Sequence, residues 1–395
     1  MEVTEKHLHE LMVQVRKIYE SEENQQKAAY WKWFDNKDWE PAQIRTLPNR
    51  HEGGKIPFVV ELGLNFWAQI LDFNLYDYYH DPLTYAIAQL EMKVFHHKNF
   101  ADDTFIDKAY RLLIATTLEA NLLGVPVVYT KEGHPWLDYN LQPIKTPEDL
   151  KEIRFPDFYS SGDMPRLIQF YEKQKDYLDD DFLIKFPDWI MGPFGVAAIL
   201  RGFDKLLMDM MGEPDFVREL LATIIRSRKV WQKQLDHYLG IPRTKGLLGN
   251  DDVNCPTLSP VLYEEFLLPT EIELCEYYGK IFYWHSCGIT TPLLSAIRNI
   301  PRLDLFHCGP WTSIEKSCEI FGRGDSSVEI VLEPMDKVLF ATPEEMKKYL
   351  IEAASQIPES TNCYVKVDSL ESDGNLEKDL RTIQTWIKTA REVFG

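Results

Sequence analysis

The chain is short of positive charge, of cysteine and of long apolar runs, and each shortage closes a class of function. Its 395 residues carry 43 Lys and Arg against 62 Asp and Glu, a formal net charge of −19. An acidic surface of this kind repels phosphate, so neither nucleic acid nor an anionic membrane is an expected partner. No run approaches the ~18 apolar residues of a membrane span. The polar opening Met1-Glu2-Val3-Thr4-Glu5-Lys6 has no apolar core of a signal peptide. The six cysteines, at positions 255, 275, 287, 308, 318 and 363, are scattered through the later part of a large chain. That is no disulfide framework, and it leads to the expectation of a reducing cytoplasm. No glycine-rich fingerprint opens a helix, which disfavours a dinucleotide-binding fold. No repeat, low-complexity tract or linker cuts the chain into separate domains.

What is present is ample apolar material. Hydrophobic residues make up 45% and aromatic residues 13%, enough for the core of one large barrel or two ordinary domains. Leu8, Leu11, Met12, Val15 and Ile18 recur at helical spacing, so residues 1–50 read as a helical extension. Its aromatic stretch Tyr30-Trp31-Lys32-Trp33-Phe34 either packs on the main domain or lines the mouth of a pocket. Residues 56–63 read as a first buried strand. Helices are expected over 82–99 and 105–123, and a second strand over 125–129. A regular alternation then sets in. Strands are expected at 182–186, 245–249, 281–285, 304–309, 328–333 and 363–368, with helices at 165–178, 214–239, 260–278, 290–299, 343–356 and 376–393. Strands alternating with helices imply parallel pairing, and a (β/α)8 TIM barrel over residues 51–395 is the natural closure.

In such barrels the chemistry lies at the C-terminal ends of the strands. The residues expected there are Glu61, Asp188 with Trp189, Asp251 with Asp252, His285 with Cys287, His307 with Cys308, Glu333 and Asp368. The run Ile281-Phe282-Tyr283-Trp284-His285-Ser286-Cys287-Gly288 is the most specific of them. Successive strand side chains alternate faces, so His285 and Cys287 point to one side and form half of a zinc site.

At this point the residues resemble a known family. The segment from Phe186-Pro187-Asp188-Trp189 through Gly192-Pro193-Phe194-Gly195 to Arg201-Gly202 resembles the Gly-Pro-Phe helix start of the uroporphyrinogen decarboxylase superfamily. Ile144 to Leu150, Gly249-Asn250-Asp251-Asp252 with Leu258-Ser259-Pro260, and Ala341-Thr342-Pro343-Glu344-Glu345 fit the same pattern. Trp284-His285-Ser286-Cys287-Gly288 is similar to the His-x-Cys-Gly of its cobalamin-dependent methyltransferase branch. The resemblance covers roughly residues 105 to 395. Decarboxylases of the superfamily carry an arginine-rich segment near the first strand. Here that place reads Glu61-Leu62-Gly63-Leu64-Asn65-Phe66-Trp67, without arginine, so a cradle for a polycarboxylate is not expected.

The methyltransferase resemblance implies zinc held by His285, Cys287 and a later cysteine at the end of the last strand. This chain ends that strand Lys366-Val367-Asp368-Ser369-Leu370, with Cys363 at its start. The third-ligand candidates are therefore Glu333, Cys308 and Asp368. Glu333 is preferred because it ends a strand among apolar residues, where an unpaired carboxylate is costly. Cys308 is equally readable as a core thiol. The resemblance further implies methyl transfer to or from a corrinoid (cobalamin) carried by a small partner protein. A small methylated substrate, an aryl methyl ether, is expected from the aromatic residues Phe66, Trp67, Trp189 and Trp311, with Asp188 and His307 beside them. Asp251 and Asp252 are expected in a catalytic role, orienting a ligand or the substrate. Two alternatives stand beside this: a metal-independent decarboxylase, and a non-catalytic barrel that docks a corrinoid protein.

Overall fold

The computed structural model describes residues 3–32, 47–48, 55–112, 118–130, 133–359 and 361–395; Trp33 and Phe34 of the aromatic stretch lie outside them. Eight parallel strands form the frame: β1 (Phe58–Leu62), β2 (Ala109–Arg111), β3 (Leu183–Lys185), β4 (Gly246–Gly249), β5 (Ile281–His285), β6 (Leu303–Cys308), β7 (Ser327–Leu332) and β8 (Cys363–Leu370). Six of them make one sheet in the order β1-β8-β7-β6-β5-β4, and β2 pairs with β3. The β3 end joins β4 through a parallel bridge of Met191 with Gly249. On the other side, carboxylates stand in for a ladder. Asp103 Oδ2 accepts from the Phe58 amide at 3.0 Å and Asp102 Oδ2 from the Val60 amide at 2.9 Å. The result is a TIM-barrel-like α/β fold, as the alternation of elements predicts.

The strands alternate faces, and two apolar clusters follow from that. The larger lies between strands and helices and takes in Phe58, Val60, Leu248, Trp284, Phe306 and Val365. The smaller fills the inside of the frame low on the strands, with Val59, Leu247, Leu305 and Tyr364. Trp31 seals this floor, its ring edge-on to Tyr364 at 5.3 Å and its Nε1 donating to the Asp103 carbonyl at 2.9 Å. Of the two readings of the aromatic stretch, Trp31 takes the packing one. The helix Val3–Glu20 buries Leu8, Leu11, Met12, Val15 and Ile18, each contributing about 1.5–3 kcal/mol.

Two expectations fail between residues 105 and 129. Residues 109–111 are barrel strand β2 rather than helix, and the helix is confined to Leu118–Leu122 among the described residues. Phe105 enters the inner cluster and Ile106 the outer one, so this apolar run satisfies strand and helix periods alike. The strand expected at 125–129 is only Val127–Val128, paired antiparallel with Trp136–Leu137 in a hairpin outside the barrel. No helix among the described residues is long and apolar enough to cross a membrane.

Glu271, on the helix Leu268–Tyr278, ties the β4 and β5 ends to the helical layer. Its carboxylate accepts from Tyr263 at 2.5 Å, Trp284 Nε1 at 3.0 Å and Asn250 Nδ2 at 2.8 Å. Burial raises this carboxyl from 4.5 to about 7, against those hydrogen bonds. A folded-state value above the unfolded one favours the fold when protonated. That contribution is complete below pH 4.5 and is lost as the pH rises through about 7. Wild type should therefore lose about 3 kcal/mol relative to Glu271→Gln across this window, read from urea midpoints at each pH. A constant difference between the two proteins would contradict the assignment.

Candidate metal centre

The ends of β5 and β6 bring three candidate ligands together. His285 is the last residue of β5, Cys287 lies two residues beyond it, and His307 is the penultimate residue of β6. One ligand atom of each lies within 4.8 Å of the others. The imidazole rings of His285 and His307 are 4.1 Å apart between centroids, and Cys287 Sγ is 3.5 Å from His285 Nε2.

The chain beyond β5 is pinned to the loop after β4. The Asn250 amide donates to the His285 carbonyl at 2.7 Å, and Ser286 Oγ to the Val253 carbonyl at 2.9 Å. Gly288 is required here, because a Cβ at this position would come within 2.3 Å of Asn254 Cβ. Asp251 Oδ1 lies 3.1 Å from His285 Nδ1 and accepts from the Cys287 amide at 3.2 Å. It thus holds both candidate ligands and leaves His285 Nε2 facing the thiol. Burial lowers the His285 imidazole, but hydrogen bonds to Asp251 and Cys287 and their charges outweigh it and push it up to about 10. Burial likewise raises Asp251, yet the His285 bond and charge bring it down to about 2. A divalent cation would replace the proton that this trio holds.

His307 is held from behind. Its Nδ1 is 2.8 Å from Glu329 Oε1 and 3.0 Å from the Tyr283 hydroxyl. Its Nε2 is buried and has no hydrogen-bond partner. An unpaired buried nitrogen costs about 1–3 kcal/mol, and a metal ion at this point would remove that cost. Burial and the charge of His285 lower the His307 imidazole, so it stands neutral, the ligand form. Glu329 in turn accepts from the hydroxyls of Tyr283 and Tyr364. Lys366 Nζ lies 3.9 Å from Glu329, 2.5 Å from Glu61 and 3.4 Å from Asp368. Burial raises the Glu329 carboxyl, but Lys366 and His307 hold it well below the usual range. The β8 end is bulged: its register against β1 shifts between Val367 and Leu370, and Ser369 has a left-handed φ of 50°.

Several residues singled out from the sequence stand elsewhere. Glu333 lies just past β7, and its two oxygens accept from the amides of Met335 at 3.1 Å and Asp336 at 2.5 Å. It caps the turn Met335–Leu339, which satisfies the carboxylate without a metal. Cys308 follows His307 and so faces the opposite side, into the core. Its buried thiol donates to the Thr312 carbonyl at 3.6 Å and is pushed up to about 12 by burial. Neither belongs to the ligand group. Phe66 and Trp67 are the buried residues of the helix Leu64–Leu71, with Trp67 against Phe95. Trp189 packs on Trp231, wholly buried. All three rings are buried. Asp188 is buried, its carboxylate accepting from the Trp189 amide at 2.9 Å. Trp311, in the loop after β6, is 61% exposed. Asp252 stands beside Asp251, raised by burial and by that neighbour's charge. The residues that sequence reasoning misses are Glu329, Lys366, Tyr283 and Tyr364. A signal exists for Tyr364 and Lys366, which with Asp368 put a polar side chain at every second position of an apolar strand.

Comparison with known proteins gives two findings. A family model described as uroporphyrinogen decarboxylase (URO-D) matches residues 68–365. Among solved structures the chain is similar to a methyltransferase from Methanosarcina mazei. The identity is 14% and the TM-score 0.61, over 86% of this chain and 95% of that one, a likeness of fold. No curated protein matches.

Proposed function

Because the chain belongs to the uroporphyrinogen decarboxylase family, we propose that it is a zinc-dependent methyltransferase of that fold, with His285, Cys287 and His307 as the metal ligands. It takes a methyl group from a small methyl ether and passes it to the corrinoid of a small partner protein. The observation that carries the reading is the convergence of the three ligand atoms within 4.8 Å, with the unpartnered Nε2 of His307 among the side chains that converge. Two imidazoles and one thiolate suit zinc, and three protein ligands are the number a catalytic site uses while keeping one position open. The likeness of fold to the Methanosarcina mazei protein, itself a methyltransferase, supports the reading.

Bound there, zinc supplies Lewis acidity to the oxygen that leaves the methyl group. The rest is the work of the chain. Asp251 fixes His285 through Nδ1 and the Cys287 backbone through its amide, so both ligands are oriented before the metal arrives. Glu329 and Tyr283 occupy His307 Nδ1. Cys287 is exposed and His285 half-buried, so substrate and partner approach from the strand-end side. Of the four aromatic residues expected around an aryl group, only Trp311 is exposed there, and an aryl substrate would meet this ring.

The test is methylation of cob(I)alamin by the purified protein, with methoxylated aromatics, methanol and methylamines as donors and zinc content measured alongside. Methylcobalamin from an ether or alcohol donor, lost on zinc removal and restored by zinc, is the expected result. Carbon dioxide release from a carboxylated substrate by metal-free protein would replace this reading with a decarboxylase.

A further inference from the structure

The inside of the frame is apolar at its floor, yet one level higher it holds a carboxylate with no access to water. Glu329 is fully buried, and its strand neighbours Val328 and Ile330 face the outer core. Its contacts point one way. Oε1 meets His307 Nδ1 and the Tyr283 hydroxyl; Oε2 meets the Tyr364 hydroxyl, with the Lys366 ammonium 3.9 Å away. In the sheet, His307 and Glu329 are direct partners across β6 and β7. A buried ionic group of this kind is weak support for a fold, since a well-packed apolar group of equal volume does as well or better. What the arrangement does fix is the His307 ring. A carboxylate on Nδ1 selects the tautomer with the proton on that nitrogen, and so leaves the Nε2 lone pair free.

Resting on the metal reading above, we propose that Glu329 is the positioning residue of the centre. Held in place by Tyr283, Tyr364 and Lys366, it turns His307 into the third ligand. The later part of β8 carries Lys366 and Asp368 and no cysteine, Cys363 standing at the start of the strand, so the ligand comes instead from β6.

The experiment compares wild type, Glu329→Gln, Tyr364→Phe and Glu271→Gln. Zinc affinity is measured by competition with a chromophoric chelator, and cobalt(II) is used as a spectroscopic probe of the ligand set. Glu329→Gln should weaken zinc by about 10–100-fold. Its cobalt spectrum should keep the thiolate charge-transfer band of Cys287 while the ligand-field bands change, because a histidine and not the thiol is released. Tyr364→Phe removes one donor to the carboxylate and should shift affinity in the same direction by less; it decides the matter if Glu329→Gln does not fold. Glu271→Gln removes an equally buried carboxylate that touches none of the ligand side chains and should leave zinc affinity unchanged, which separates positioning from general loosening. Unchanged affinity and spectrum in both Glu329→Gln and Tyr364→Phe would overturn the proposal while leaving the zinc reading intact. A wild type that binds neither zinc nor cobalt would end both.

Discussion

Replacing His307 with alanine is expected to weaken zinc binding by more than about 100-fold, beyond the range of residues that only support a ligand, and to abolish methyl transfer. Two of the other candidates read from the sequence are committed elsewhere. Cys308 faces the core and gives its thiol to Thr312, while Glu333 is committed to the amides of Met335 and Asp336. Two ligands, His285 and Cys287, would remain, and both are solvent-accessible at the strand ends. The variant gives up the buried ring and its Nδ1 contacts to Glu329 and Tyr283, so some stability is lost and affinity is read on protein shown to be folded. Chelator competition gives the affinity, and a thermal melt of the metal-free protein gives the control. Undiminished zinc affinity in a folded His307→Ala protein would remove His307 from the ligand set.

Replacing Lys366 with methionine should be the most destabilising single change at the site. The ammonium is 5% exposed and serves Glu61, Asp368 and the fully buried Glu329. Burial lowers Lys366, but the charges of these carboxylates outweigh it and keep it protonated. Without it, a carboxylate is left in the barrel with no counter-charge of its own, a loss of about 3–5 kcal/mol. Adding Glu329→Gln removes the stranded charge and should recover part of the loss, so the two substitutions are not additive. Urea midpoints of the two single variants and the double variant measure this. Additive losses, or a Lys366→Met protein as stable as wild type, would show that the ammonium is not the partner of Glu329.

How much of the site is legible in the sequence depends on which distance has to be read. The i, i+2 spacing of His285 and Cys287 is a local signal, and it places both on one face. Strand β5 runs over 281–285 as expected, and β4 to β8 show in their apolar runs. His307 also stands out in the sequence, but as a substrate contact. Its nearness to His285 depends on the register of β5 against β6, in which Tyr283 pairs with Leu305 and Trp284 with Phe306. No single stretch of sequence encodes that pairing. Glu333 misleads because it follows an apolar strand. The proline after it marks a turn, and a carboxylate ahead of a turn is a cap for backbone amides. The burial of the aromatic residues is hidden for a related reason. Phe66 and Trp67 follow a strand end in sequence, but their helix turns them down into the helical layer. Trp189 goes the same way against Trp231. Glu329 is hard to read because it stands alone between apolar neighbours, and a single charge in a strand gives no sign of what it faces.

X-ray absorption at the zinc edge of the purified, zinc-loaded protein reads the ligand set itself. The expected first shell holds one sulfur at about 2.3 Å and two imidazole nitrogens at about 2.0–2.1 Å, with the sulfur lost in Cys287→Ala and one imidazole lost in His307→Ala. A shell with two sulfurs, a first shell of oxygen alone, or a protein that does not retain zinc would contradict it.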